Sequence, residues 1–214
     1  MMQKTTKILA QLAIATSLFS CSSPTAKLPI YGERTTEEKL VDGKTQVDTI
    51  YQTIPDFSLL NQDSVLLNQK TFNNKIYIAN FFFTHCPSIC PTMQRNLLKF
   101  YKKYKGDERL LFLSHSIDFK NDRPYILKEY ANNLGVDSPQ WQFVGGSKKD
   151  IYGLAEKYLV YAKEDANVAG GYDHQGYLIL VDSQKRIRGA YDGTDDQQVA
   201  KLFVDLETLL KEQE

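Results

Sequence analysis

Two cysteines, Cys86 and Cys90, stand four positions apart in the stretch FFFTHCPSICP (residues 81–91), and each is followed by a proline. A thiol pair at that distance supports three chemistries: a structural disulfide, a redox couple, or two arms of a metal site. Pro91 disfavours helical backbone at Cys90 and itself suits the start of a helix, so Cys90 is expected as the N-cap of the helix that follows. A thiol there ionises readily, and thiolate is the form that both attacks disulfides and binds metal. Redox motifs commonly place two residues between the sulfurs. Three intervening residues make a wider loop, which eases metal bridging without forbidding oxidation. Two thiolates suit cuprous ion, and an added imidazole suits cupric copper or zinc.

Three histidines could supply that imidazole. His85 adjoins Cys86, but neighbours in an extended chain point opposite ways. His115 lies inside the apolar segment RLLFLSHSID (109–118) and reads as a buried core residue. His174 follows Gly170-Gly171-Tyr172-Asp173, where two glycines free the backbone and Asp173 could orient the ring. From the residues alone, His174 is equally a third ligand or an ordinary surface-loop residue.

The elements that must position these groups alternate between strand and helix. Residues 57–60 and 64–67 flank Asn61-Gln62-Asp63 as a small hairpin. The run KIYIANFFF (75–83) is apolar enough for a strand buried on both faces, and 109–118 reads as the next. Between them PTMQRNLLKFYKKYKG carries apolar residues at helical spacing, lysines in its last turn and Gly106 as its end. DRPYILKEYANNLG follows as a helix, with Asp122 as its cap and Gly135 as its terminator. WQFVGG reads as a short strand or a turn, and Ser147 to Asp150 form a capping box for a helix to about Tyr158. YLILVDSQKRIRGAY gives two strands, and Thr194 to Gln197 form a second capping box before a final helix. This order, βαβ then ββα with cysteines after the first central strand, is that of an α/β thioredoxin-like domain: a central mixed sheet flanked by helices. Ligands of open α/β sheets sit at the carboxyl ends of strands, where Cys86 falls.

The N-terminus reads as a secretory signal over residues 1–20, with Lys4 and Lys7 ahead of an apolar run too short for a comfortable membrane span. Its Leu18-Phe19-Ser20-Cys21 ending resembles a bacterial lipoprotein processing site, which implies lipidation of Cys21, a membrane anchor and an extracytoplasmic, periplasm-facing location. Residues 21–49 are polar and charged and read as a tether, leaving open whether Leu28 to Gly32 pack on the domain of residues 50–214. Lys plus Arg and Asp plus Glu are equal at 26 each, so no basic field points to nucleic acid.

Taken together, FTHCPSICP, SIDFKND and YDHQGYLILVDSQKRI resemble the Sco/SenC family over about residues 54–210. These are thioredoxin-like copper chaperones, tethered to membranes, that help assemble the dinuclear copper centre of cytochrome oxidase. The resemblance implies copper, as Cu(I) or Cu(II), held by Cys86, Cys90 and His174, with Asp118 and Asp173 as supporting groups. It implies a copper-site subunit of cytochrome c oxidase, or a similar metalloprotein, as the partner. Two departures stand out: Phe119 occupies a position where the family usually carries proline, and Gly-Gly precedes Tyr172-Asp173-His174 where Tyr-x-Val-Asp-His is common. The rival reading is an extracytoplasmic thiol–disulfide oxidoreductase, in which Cys86 and Cys90 are the redox pair and His174 is incidental.

Overall fold

The computed structural model describes residues 27–136 and 139–213. The signal segment 1–20 and Cys21 lie outside the described residues. The strands are β1 (Arg34–Val41), β2 (Lys44–Tyr51), β3 (Ser58–Asn61), β4 (Leu66–Asn68), β5 (Ile76–Phe82), β6 (Leu110–Ser116), β7 (Trp141–Gly145), β8 (Ala162–Glu164), β9 (Tyr172–His174), β10 (Tyr177–Val181) and β11 (Ile187–Asp192). The helices are α1 (Cys90–Lys103), α2 (Pro124–Leu134), α3 (Lys148–Lys157) and α4 (Asp196–Glu212). Seven strands form one mixed sheet in the order β11-β10-β5-β6-β7-β3-β4. β5, β6 and β7 run parallel, and β10, β11, β3 and β4 join antiparallel.

Every residue of β5 is buried, as a strand covered on both faces requires. Helices complete that cover: α1 and α4 meet through Phe100 and Phe203, whose rings stack at 3.6 Å. His115 is wholly buried, stacked on Phe81, and its burial pushes its pKa down to about 4. It is a core histidine, as its place in an apolar strand indicated.

Some ends differ from expectation. Cys90 is the first residue of α1 rather than its cap. Ile89 already has helical backbone, and its carbonyl accepts from the Met93 N–H at 3.0 Å, so the helix begins before Pro91 can deflect it. Arg123, not Asp122, caps α2, and Asp195, not Thr194, caps α4. Gly135 with φ 69° and Ser147 terminate α2 and cap α3 as expected.

The segment 21–49 is not a plain tether where it is described. Residues 34–51 pair as the β1–β2 hairpin, and its apolar side chains Leu40, Val41, Val47 and Ile50 are exposed. Leu28 to Tyr31 do pack on the domain: Leu28 N–H donates to Glu212, Arg188 donates to the Leu28 and Pro29 carbonyls, and Tyr31 N–H donates to Ile187.

Candidate metal centre

β5 ends at Phe82, and the chain turns through Phe83 to Ile89 before α1, which sets both cysteines at the carboxyl edge of the parallel strands. The turn is held from beneath. Asp122 accepts from the Thr84 N–H at 3.0 Å, from the Thr84 hydroxyl at 2.5 Å and from Ser116 of β6 at 2.5 Å. Burial raises the Asp122 carboxyl, against the pull of those donors. A carboxylate read as a helix cap therefore braces the cysteine loop. The sequence-level signal was faint: two aspartates, Asp118 and Asp122, four apart after a core strand.

His174 arrives from the other side on β9, which pairs with β8 as a short hairpin. Its position is set by Tyr172, two residues earlier on the same strand. The Tyr172 hydroxyl donates to Asp118 at 2.9 Å, and its ring meets those of Phe83 and Phe119. Phe119 is thus one wall of the hairpin's seat. Burial works to raise the Asp118 carboxyl, and hydrogen bonds from Asn121, Tyr172 and the Lys120 N–H outweigh it and hold it below the usual range. On the outer edge, Glu164 of β8 pairs with both Lys120 and Lys148. Gly170, at φ +88°, brings the backbone so close to Phe83 that an added Cβ would fall 2.7 Å from its ring.

The result is one cluster: a sulfur from Cys86, a sulfur from Cys90 and a ring nitrogen from His174, all within 4.8 Å of one another. His174 Nε2 stands 3.4 Å from Cys90 Sγ, and Nδ1 faces the Gln175 carbonyl at 3.2 Å. A carbonyl only accepts, so that contact places the proton on Nδ1 and leaves the Nε2 lone pair toward the sulfurs. The ring edge also packs against Phe83, with centroids 5.9 Å apart. His85 is exposed and bonds Thr84, outside the cluster. Asp173 shows no hydrogen bond or ion pair to the ring among the described residues. Side chains alternate along β9, and Gln175 rather than Asp173 orients the imidazole.

Both thiols are free. The neighbouring Cys90 thiol holds Cys86 well below the ordinary thiol value, with further help from the Ser88 backbone. The same shared proton, reinforced by burial, raises Cys90. The donor set, two soft sulfurs and one imidazole, fits copper well and zinc as an alternative.

The family model described as SCO1/SenC matches residues 45–210, most of the chain. The protein belongs to the SCO1/SenC family. A SCO1 protein homolog of Bacillus subtilis (strain 168) is 25% identical over 168 residues, which are 78% of this chain and 87% of that protein. The crystal structure of a SCO1/SenC family lipoprotein from Bacillus anthracis str. Ames matches with a TM-score of 0.68 at 25% identity, covering 74% of this chain and 95% of that one. Yeast Sco1 with copper bound matches with a TM-score of 0.56 at 25% identity, covering 73% and 89%. These likenesses agree with the thioredoxin-like fold and with a SCO1/SenC domain that takes in both cysteines and the histidine.

Proposed function

We propose that this SCO1/SenC protein binds copper through Cys86, Cys90 and His174 and delivers it to the copper-site subunit of cytochrome c oxidase or a similar metalloprotein. The observation that carries the reading is the convergence of two sulfurs and an imidazole whose Nε2 is already turned toward them. The copper-bound yeast Sco1 structure supports the choice of metal. Cys86 takes the cargo first as thiolate, Cys90 releases its proton on joining, and His174 completes the set. Delivery is ligand exchange with the partner's own sulfur or nitrogen groups. Asp118 contributes by seating the β9 strand, and Asp173 is left without a role at the ring.

Copper analysis of the reduced protein tests this. Wild type is expected to hold near-stoichiometric copper and Cys86→Ser almost none. Full copper content with an unchanged spectrum in Cys86→Ser sinks the assignment.

The same proposal extends to the cell envelope: residues 1–20 as signal, Cys21 lipidated, residues 21–49 as a spacer that includes β1 and most of β2, and 50–214 as the working domain facing the periplasm. The Bacillus anthracis relative described as a lipoprotein supports the anchor. Among the described residues no helix is long and apolar enough to cross a membrane. Metabolic labelling with palmitate checks the anchor, since Cys21→Ala loses the label if Cys21 carries the lipid.

The shared proton favours one second reading, thiol–disulfide exchange by Cys86 with Cys90 as the resolving thiol. Copper titration and disulfide exchange, run side by side on wild type and His174→Ala, separate the two. Loss of cupric binding with exchange intact favours delivery. Rapid exchange with negligible copper affinity in wild type favours the redox role.

A further inference from the structure

The cysteines have a second neighbour besides the β8–β9 hairpin. A groove of about 380 Å³ runs from them between α1 and α2. Cys90, Gln94 and Leu98 recur every four residues and so form one stripe of α1, and Tyr130 and Leu134 of α2 face it. Eight residues of helix span about 12 Å. Three or four residues of extended chain cover the same distance.

Two features of the groove call for a ligand. Gln94 is 1% exposed, and neither its amide oxygen nor its amide nitrogen has a partner among the described residues. A buried amide left in that state is costly, and one donor beside one acceptor is the complement of a peptide group. Among the described residues Arg95 is the only Lys, Arg, Asp or Glu that lines the groove. Its guanidinium reaches only the Thr92 hydroxyl, at 3.1 Å, and pairs with no acid among the described residues. Apolar walls, a peptide-like hydrogen-bonding site and a lone cation describe an extended segment with an acidic residue. Arg95 lies five residues along α1 from Cys90, about 7.5 Å, so the acid stands two extended residues from the group that meets the cysteines.

We propose that this groove docks an extended acidic segment of the protein that exchanges ligands with Cys86 and Cys90, Gln94 bonding its backbone and Arg95 its carboxylate. The identity of that partner as a copper acceptor rests on the function proposed above, while the groove's preference for such a segment does not.

The test uses capped Asp-Leu-Cys-Leu-Asp with its cysteine activated as a mixed disulfide with 5-thio-2-nitrobenzoate. The Cys86 thiolate attacks the peptide sulfur, a new disulfide forms, and the arene thiolate leaves and is read by its absorbance. N-acetylcysteinamide activated in the same way is the reference, and each rate is expressed as its ratio to that reference in the same variant. On the reduced full chain the acidic peptide is expected to react about tenfold faster than the reference. Arg95→Glu should bring that ratio to about one and should prefer Lys-Leu-Cys-Leu-Lys instead. Gln94→Leu should lower the ratio severalfold for both peptides. A wild-type ratio near one, or equal ratios for the acidic and basic peptides with Arg95 present, overturns the proposal. Copper content measured on the same samples keeps the two readings apart. Copper bound without peptide preference removes only the groove, and peptide preference without copper removes only the cargo.

Discussion

Two antiparallel hairpins stand outside the seven-stranded sheet, and they are opposites. β1–β2 pairs eight residues with eight, while β8–β9 pairs three with three. By backbone hydrogen bonds alone the first is the sturdier. Yet all of β1 is exposed, whereas β9 buries Tyr172 and His174, each 9% exposed, and turns His174 to the cysteines. A lone two-stranded hairpin is marginal in water, so its placement comes from side chains that reach the main body. β8–β9 has several: Tyr172 on Asp118, Phe83 and Phe119, and Glu164 on Lys120 and Lys148. β1–β2 is fastened at its base, where Gln52 bonds Glu33 and the Lys157 carbonyl. Anchoring, not ladder length, makes a hairpin precise enough to carry a ligand.

Breaking the anchor should have the largest effect. Phe83 touches both rings of β9 and fills the space against Gly170. Phe83→Ala is expected to cost about 3–5 kcal/mol of stability, by cavity formation and lost contacts. Denaturant unfolding checks that figure, and copper affinity should fall with it because His174 loses its wall. Unchanged affinity would mean that the hairpin positions itself without Phe83.

A matched pair of glycines comes next. Gly43 at the β1–β2 turn (φ +73°) and Gly170 before β9 (φ +88°) both carry left-handed backbone, but only at Gly170 would a Cβ meet anything. Gly43→Ala should show the backbone strain alone, roughly 1–2 kcal/mol and mostly local. Gly170→Ala adds the collision with Phe83 and should exceed 2 kcal/mol, on the order of the strain plus a forced core shift. Copper titration is the sharper readout: Gly170→Ala weakens binding and Gly43→Ala does not. Equal copper affinities would show that the site tolerates a displaced Phe83.

The contrast also shows what the sequence could and could not reveal. β5 was legible because a strand buried on both faces needs an unbroken apolar run, and Ile76 to Phe82 is one. Gly135 and Ser147 were legible because caps are local chemistry. Cys86, Cys90 and His174 were named through residue type, spacing and family resemblance. The parts that hold them together were not. β1–β2 lacks a buried face, so no periodicity announced it. Asp122 looks like a helix cap locally, yet its partners Thr84 and Ser116 come from two other segments. Tyr172 stands in the YDHQ stretch with no local signal of its role, which depends on Asp118, 54 residues away in the chain.

The Tyr172 hydroxyl offers a finer cut. Tyr172→Phe keeps the ring against Phe83 and removes one hydrogen bond to the Asp118 carboxylate. That carboxylate retains the Lys120 and Asn121 donors, so the loss should sit near the low end for charge-assisted bonds, about 1.5 kcal/mol. Amide hydrogen exchange should quicken across β8–β9 and leave β5 protected. Exchange rates unchanged in β9 would leave ring packing as the sufficient anchor.

The smallest effect belongs to the other hairpin. Leu40 is 77% and Val47 57% exposed, so truncating either to alanine removes little buried apolar surface and opens no cavity. Each change should move stability by less than about 0.5 kcal/mol, as surface substitutions usually do. Copper affinity should stay within error, because neither side chain touches an element that holds Cys86, Cys90 or His174. A loss of 2 kcal/mol or more from Leu40→Ala, measured by denaturant midpoint at constant slope, would mean that its side chain is buried in solution. The hairpin would then pack on the domain as its shorter counterpart does, and the difference between the two would reduce to the ligand that one of them carries.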